Sequence, residues 1–305
     1  MRESWLSFPV WCKETYGRRL YRAALDGGFT CPVRDGTKGI GGCIFCNASG
    51  SGDFAIAYHG RPLTEEELIH NHQRNESGNY IAYFQAFTNT YGPVSYLEQL
   101  YKGALSDPLF AGISIASRPD CFSDEVYDLL FRLKKEFPGK FIWVELGLQT
   151  IHEKTAQWMR RGYSLEVFDE CVRRLHELSI PVIVHIILGL PGESEDDVIQ
   201  TVHHLNTLSV EGVKLQLLQY LDNADLGRLY QEHPEDYHPL TQDEYIHLVC
   251  TCIGHLDPSI VIHRLTGDGD REHLIEPSWS LRKGHVLNAI RHTLKVSGIH
   301  QGSLL

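Results

Sequence analysis

Short apolar segments alternate with longer amphipathic segments along most of this chain, and this alternation limits its possible folds more than any other feature. Strands that alternate with helices are typical of a parallel sheet whose strands are joined by crossover helices. Six segments have the apolar, β-rich composition of buried strands: RLYRAAL from Arg19, YIAYFQAF from Tyr80, GISIAS from Gly112, FIWVELGLQ from Phe141, PVIVHIILG from Pro181 and VKLQLLQ from Val213. Eight strand–helix units close a complete barrel, so six such units predict an α/β fold with a partial (β/α)6 TIM-like barrel. The functional site of such a barrel is expected at the C-terminal ends of its strands.

The amphipathic segments predict the helices of this barrel. They are TEEELIHNHQR, VSYLEQLYKGAL, SDEVYDLLFRLKKEF, LEVFDECVRRLHEL, SEDDVIQTVHHLNTL and TQDEYIHLVCTCIGHL. Thr64, Ser123 and Ser194 are candidate N-caps, since acidic residues follow each of them. Residues 1–257 are predicted to form the barrel with its cysteine loop. Residues 258–305, with a last helix near 281–296, are predicted to form a C-terminal extension that closes the open side.

Composition limits the class of protein and its partners. A chain of 305 residues, 42% hydrophobic and 22% charged, has the composition of a globular domain. It has neither an apolar run long enough to cross a membrane nor an N-terminal signal peptide, so we expect a cytoplasmic protein with no membrane partner. The net charge of −11 argues against broad nucleic-acid binding. Local basic patches remain candidates at residues 16–22, 132–135 and 159–162.

Three cysteines and many glycines follow the first predicted strand, in the run TCPVRDGTKGIGGCIFCNASGSGDF. In a cytoplasmic protein such a group of cysteines indicates a metal site rather than a disulfide framework. Three thiolates leave one position open on zinc, and they leave one iron of an iron–sulfur cube unsaturated. The spacing alone also allows a structural zinc site with His59 or Cys121 as fourth ligand.

The run CPVRDGTKGIGGCIFC resembles the cluster-binding loop of radical S-adenosylmethionine (SAM) enzymes. The commonest spacing in that superfamily is CxxxCxxC, whereas eleven residues separate Cys31 from Cys43 here. This wider gap is similar to that of the Elongator catalytic subunit. The resemblance implies that Cys31, Cys43 and Cys46 hold a [4Fe-4S] cluster whose fourth iron binds SAM, with Phe45 shielding the cluster.

The ends of the next strands are compared with the same family. Thr88 and Asn89 stand where the superfamily usually has a GGE-type backbone that accepts the SAM ammonium group. The run SIASRPDCF resembles the Elongator-like group, and Arg118 is a candidate for a two-pronged bond to the SAM carboxylate. Arg161, in MRRGY, is a second candidate for that carboxylate. A helix-cap or surface role is the alternative for Arg118.

The fourth and fifth strands carry two further motifs. VELGLQT is similar to the GxQS segment of oxygen-independent coproporphyrinogen oxidases, which places Gln149 at the ribose. Glu145, on the same face of a nearly apolar strand, is a buried carboxylate that needs a partner. HIILGLPGES is similar to the GxIxGxxGE adenine-binding motif. That similarity implies purine contacts for Gly189 and Ile187 and places His185 near the ribose.

The tail VIHRLTGDG resembles that of short Elongator-like radical SAM proteins, which lack the acetyltransferase domain. The resemblance places Arg264 and Asp268 at the mouth of the barrel as substrate contacts, and an ordinary turn is the alternative. Cys121 is a candidate hydrogen donor or radical partner, with a passive loop role as its alternative.

The resemblance implies an enzyme that cleaves SAM to a 5′-deoxyadenosyl radical, which takes a hydrogen atom from an unactivated carbon. The implied substrate is the wobble uridine of tRNA, with 5-carboxymethylaminomethyl-uridine converted to 5-aminomethyl-uridine. Its implied partners are tRNA and an electron donor such as flavodoxin or ferredoxin. A small-molecule or protein substrate is the enzymatic alternative, and a zinc-stabilised binding module is the non-enzymatic one.

Overall fold

Eight parallel strands form the main sheet of this protein, in the order β2-β1-β3-β4-β5-β6-β7-β9. The structure, a computed structural model, describes residues 4–50, 52, 55–64, 66–67, 79–267 and 270–305. The strands of the main sheet are β1 (Tyr21–Asp26), β2 (Ile56–Ala57), β3 (Tyr80–Phe84), β4 (Phe110–Ser117), β5 (Phe141–Gln149), β6 (Val182–Leu188), β7 (Gly212–Leu217) and β9 (Val261–Arg264). A small antiparallel pair consists of β8 (Tyr220–Leu221) and β10 (Leu274–Glu276).

Helices connect most of these strands, and the connecting helices pack on the outer face of the sheet, whereas the first helix packs against inward-facing residues such as Trp143. Those described are α1 (Phe8–Tyr16), α2 (Val94–Ser106), α3 (Asp124–Glu136), α4 (Glu153–Trp158), α5 (Leu165–Glu177), α6 (Glu195–Leu208), α7 (Asp225–Glu232), α8 (Gln242–His255) and α9 (Lys283–Ser297). Among them, no helix is both long and apolar enough to cross a lipid bilayer.

The predicted fold class is confirmed, and the six predicted strands are β1 and β3 to β7, adjacent in chain order. The two edge strands were not predicted. β9 lies in the segment assigned to the C-terminal extension, yet it pairs in parallel with β7 and continues the main sheet. The domain boundary at residue 257 stays a prediction.

Five of the predicted helices are α2, α3, α5, α6 and α8, whereas most of TEEELIHNHQR lies outside the described residues. Ser194 caps α6 in a reciprocal capping box with Asp197. Ser123 precedes α3 as predicted, but its side chain accepts no capping hydrogen bond.

Candidate functional site

The cysteine loop lies at the C-terminal edge of the sheet, directly after β1, as the sequence predicts. Within it, the amide of Cys46 donates to the carbonyl of Cys43 over 3.0 Å, and the amide of Arg34 donates to that of Cys31 over 2.9 Å. The hydroxyl oxygen of Thr88, after β3, lies 2.9 Å from Sγ of Cys31. These contacts hold the thiols against the end of the neighbouring strand.

A left-handed turn brings the chain to the second cysteine. Gly41 and Gly42 have φ values of +85° and +80°, a region that other residues rarely adopt. The amide of Gly42 donates to the carbonyl of Val33 over 2.8 Å, which folds the long gap between Cys31 and Cys43 back on itself. The wide spacing of the motif is therefore taken up by a compact turn.

Positive charge surrounds the thiols. The hydrogen bond from the Cys46 thiol, together with the guanidinium groups of Arg118 and Arg34, lowers the pKa of Cys43 to about 7. Burial raises the pKa of Cys31. Arg34 is fixed in the loop because its guanidinium donates to the carbonyls of Cys46 and Asn47. A site that favours one thiolate and holds two cationic side chains suits an anionic metal–thiolate group.

A cavity of about 710 Å³ begins at these thiols and extends into the barrel interior. Of the predicted site residues, the cavity is lined by Cys31, Cys43, Cys46, Thr88, Arg118, Glu145, Gln149, Arg161, His185, Ile187 and Arg264. The structure thus brings most of the predicted residues to one space. Asp268 lies outside the described residues.

Two features of the cavity wall suit an adenosine group. Gln149 ends β5 with a φ of +68°, and its Oε1 atom is buried without a hydrogen-bond partner among the described residues. Ile187 is 8% exposed and lines the cavity from β6. Gly189, the other predicted purine contact, is not among the described residues that line the cavity; it has a φ of +87°, and a Cβ atom there would lie 2.9 Å from Leu240. A buried acceptor beside an apolar wall fits a ribose hydroxyl and a purine ring.

Asn89 and Arg161 make mostly structural contacts. The amide nitrogen of Asn89 donates to the carbonyls of Phe84, Ala86 and Ala116, and Asn89 is fully buried outside the cavity lining. The guanidinium of Arg161 donates to three backbone carbonyls and to the Glu153 carboxylate. These contacts direct most of the Arg161 donors away from a ligand.

Arg118 and Cys121 lie on either side of Asp120, just after β4. Arg118 donates to the Asp120 carboxylate through Nε and Nη2, at 3.0 and 3.1 Å, and also lines the cavity. Sγ of Cys121 lies 3.8 Å from Oδ1 of Asp120, and burial raises the pKa of this thiol to about 12. Cys121 is not among the described residues that line the cavity.

A buried polar network lies below the thiols, and it supplies the partner that Glu145 was predicted to need. The Glu145 carboxylate accepts from Ser114 at 2.8 Å and from Lys214, and it lies 2.7 Å from Nε2 of His185. Nε of Arg22 lies 3.9 Å from the same carboxylate. Although burial opposes ionisation, Lys214, His185 and Arg22 hold the pKa of Glu145 well below its usual range.

Sequence reasoning missed Arg22, Lys214 and Arg34 as members of this site. Arg22 and Lys214 each stand inside a predicted strand, in RLYRAAL and VKLQLLQ, where a polar residue suggests a solvent-facing side. In a barrel, however, the face of a strand that carries such a polar residue can be the one that faces the interior. A single cationic residue in a strand of a partial barrel is therefore the sequence feature that could have identified Arg22 and Lys214.

The described residues contain no group of three or more His, Cys, Asp or Glu side chains placed to bind a single metal ion. His59 and Cys121 therefore do not complete a compact zinc site with the loop cysteines. An iron–sulfur cube spaces its thiolates more widely than one ion does, and three cysteines lining one cavity fit that requirement.

Family comparisons agree with this site. The Radical SAM superfamily matches residues 37–205, and the Radical_SAM C-terminal domain matches residues 210–296. This chain belongs to the Radical SAM superfamily. Membership of this superfamily confirms the cofactor pair predicted from the sequence, a [4Fe-4S] cluster and S-adenosylmethionine.

Several relatives match nearly the whole chain. The uncharacterized protein YtqA of Bacillus subtilis (strain 168) is 42% identical over 95% of this chain and 89% of its own length. Protein YhcC of Escherichia coli (strain K12) is 34% identical over 95% of this chain and 92% of its own length. A solved structure of Elp3 from Methanocaldococcus infernus is similar with a TM-score of 0.63 and 16% identity. This likeness covers 77% of this chain and 58% of Elp3, and it shows the fold.

Proposed function

We propose that this protein is a radical SAM enzyme that modifies the wobble uridine of tRNA, converting 5-carboxymethylaminomethyl-uridine to 5-aminomethyl-uridine. The observation that carries the enzymatic part is the position of Cys31, Cys43 and Cys46 at the top of a 710 Å³ cavity. A fourth cysteine would occupy the iron to which SAM binds. Bound at these thiols, the cluster and SAM supply hydrogen-atom abstraction from an unactivated carbon.

The residues of this chain bind and orient the reactants. Ile187 and Phe45 present apolar surface to the cavity, which keeps water from the reacting atoms, and Gln149 offers an acceptor to the SAM ribose. Arg118, with its pKa raised chiefly by Asp120 against the effect of burial, stays charged beside the thiols. An electron donor such as flavodoxin or ferredoxin is the expected source of the electron.

The choice of tRNA is supported by the resemblance of the cysteine loop to that of the Elongator catalytic subunit, together with the fold shared with Elp3. The cysteine loop, Gly267 and Asp270 line the cavity at the C-terminal edge of the sheet, so we expect a tRNA to approach from that side. Arg18 and Arg19 precede β1, and Lys134 and Lys135 end α3 before β5, which places these basic groups at the opposite edge. Exposed basic residues near the mouth, such as Arg160 and Arg271, are better placed to contact tRNA.

The test is an anaerobic reaction with the cluster-loaded enzyme, SAM, dithionite and tRNA that carries 5-carboxymethylaminomethyl-uridine. We expect 5-aminomethyl-uridine in the nucleoside digest together with 5′-deoxyadenosine, and neither product with Cys43→Ala. Formation of 5′-deoxyadenosine with an unchanged nucleoside would reject tRNA and favour a small-molecule or protein substrate.

A further inference from the structure

The segment that follows β3 is joined to the cysteine loop at two places. The amide of Thr88 donates over 3.3 Å to the carbonyl of Thr30, the residue before Cys31. The amide of Phe87 donates over 3.2 Å to the carbonyl of Gly50, further along the loop. Gly50 has a φ of +55°, and a Cβ atom there would lie 2.4 Å from the Phe87 ring, so this close approach requires a glycine. Backbone contacts therefore fix the position of Thr88 relative to the first cysteine.

The side chain of Thr88 is also held in place. Thr88 is 0% exposed, and its carbonyl accepts from the amide of Tyr91 over 3.0 Å. The next residue, Asn89, anchors the same segment through its three hydrogen bonds to backbone carbonyls. A β-branched side chain has few χ1 rotamers, so a buried threonine on a fixed backbone has little freedom to turn its hydroxyl away.

The hydroxyl of Thr88 is directed at the first thiol of the loop. Its Oγ1 atom lies 2.9 Å from Sγ of Cys31. Between a hydroxyl and a thiol, either group can donate the hydrogen. A cysteine that binds a metal cluster is a thiolate, which has no proton and can only accept a hydrogen bond. In the cluster-loaded enzyme the Thr88 hydroxyl must therefore be the donor.

This contact differs in kind from the effect of the neighbouring arginines. The guanidinium of Arg34 donates to the carbonyls of Cys46 and Asn47, and that of Arg118 donates to the Asp120 carboxylate. Both act on the thiols through their charge. The Thr88 hydroxyl is neutral and contacts one sulfur atom directly, so a substitution can remove it without changing the net charge of the site.

A hydrogen bond donated to a thiolate ligand favours the reduced form of a cluster. Reduction adds one electron and increases the negative charge on the sulfur atoms. The positive end of an O–H dipole therefore stabilises the reduced form more than the oxidised form, and hydrogen bonds to the sulfurs are among the features that set cluster potentials. Burial strengthens the effect, because water does not screen the dipole.

We propose that the Thr88 hydroxyl donates a hydrogen bond to the cluster-bound thiolate of Cys31 and thereby raises the reduction potential of the cluster. Thr88 acts through its contact with Cys31, so in this role it is a positioning residue. A hydroxyl that donates keeps its lone pairs as acceptors, so this role is compatible with the predicted place of Thr88 beside the SAM ammonium group. The inference concerns the cluster alone and is independent of the proposed tRNA substrate.

The test is a redox titration of the cluster-loaded enzyme without SAM or substrate, with dithionite as the reductant and EPR spectroscopy to quantify the reduced cluster. We expect Thr88→Val to shift the equilibrium about threefold to tenfold towards the oxidised cluster. That shift lowers the midpoint potential by about 30 to 60 mV for a one-electron couple. Thr88→Ser keeps the hydroxyl and should have a potential close to that of the wild type.

Thr90→Val is the matched control. The Thr90 hydroxyl is buried in the same segment but contacts the hydroxyl of Ser117 instead of a thiol, so the potential of this variant should be unchanged. An equal shift in Thr90→Val would contradict the proposal, since any buried hydroxyl of the segment would then have the same effect.

Thr88→Ala provides a second variant, because it removes the hydroxyl without adding a methyl group. A wild-type potential in either Thr88→Val or Thr88→Ala would overturn the proposal, and so would a potential in Thr88→Ser as low as that of Thr88→Val. Loss of the cluster from both Thr88→Val and Thr88→Ala would also reject it, because a residue that only adjusts the potential is not needed for cluster assembly.

Discussion

Lys214 and Glu145 form a buried ion pair that spans the interior of the barrel from β7 to β5. His185, on the strand between them, lies 2.7 Å from the same carboxylate. The pair therefore links three consecutive strands directly below the predicted cofactor site. Its integrity affects both the stability of the sheet and the shape of the cavity.

Removing the charge of Glu145 should destabilise the protein strongly. Glu145→Gln removes the carboxylate that pairs with the buried Lys214 side chain, so we expect the free energy of unfolding to fall by about 3–5 kcal/mol. Urea denaturation measures this change. Glu145→Gln combined with Lys214→Met should recover part of the loss, because the double variant removes one uncompensated charge. A Glu145→Gln variant as stable as the wild type would show that the network contributes little.

The stability of the protein should fall in mild acid because of His185. Burial and the nearby charge of Lys214 lower the pKa of His185 to about 4, compared with about 6.5 in an unfolded chain. At a pH between these two pKa values, His185 is protonated in the unfolded state and neutral in the folded state. The contribution of His185 is therefore complete above pH ~6.5 and is lost towards pH ~4, by up to about 1.4 kcal/mol per pH unit.

Urea denaturation between neutral and mildly acidic pH measures that slope. His185→Gln should reduce the dependence on pH, and His292→Gln, on the exposed side of α9, should not. Equal slopes in the wild type and His185→Gln would contradict the assignment of a neutral buried imidazole.

Gln149 should contribute to SAM binding. Gln149→Leu keeps the size of the side chain but removes the buried Oε1 acceptor, so we expect the dissociation constant for SAM to rise about tenfold. Calorimetry on the cluster-loaded protein measures the constant, and Gln157→Leu, at an exposed position on α4, is the matched control. Unchanged affinity in Gln149→Leu would remove this residue from the cofactor site.

The salt dependence of binding tests which edge of the sheet contacts the proposed tRNA substrate. Arg271 is exposed and follows Asp270, which lines the cavity, whereas Arg19 is exposed at the opposite edge. We expect Arg271→Gln to reduce the slope of log K against log salt concentration by about 1, and Arg19→Gln to leave it unchanged. The opposite result would place tRNA away from the cavity mouth.

The sequence predicts the strands of this fold well but not the edges of its sheet. Runs such as FIWVELGLQ are long and apolar enough to identify a buried strand. The short strands β2 and β9 contain two and four residues, and their place in the sheet depends on pairing between distant segments. The sequence around Ile262 therefore gives no sign that this residue pairs in parallel with Val213 in the main sheet.

The site was predictable where residues cluster in sequence and less so where they meet only in space. The three cysteines lie within one loop. Arg22 and Lys214, which the sequence does not point to, come from different strands and meet Glu145 only because the sheet curves around one cavity. Asn89 shows the converse, since its place in the motif predicts a cofactor contact while its amide donates to backbone carbonyls.

The central claim is that three loop cysteines hold a cluster with one open iron. The most direct measurement is anaerobic reconstitution with iron and sulfide, followed by determination of iron, sulfide and zinc and by assay of 5′-deoxyadenosine after adding SAM and dithionite. We predict about four irons per chain and 5′-deoxyadenosine formation. Both should be lost in Cys43→Ala, while Cys121→Ala keeps its iron. Stoichiometric zinc with no cluster and no SAM cleavage would contradict the account.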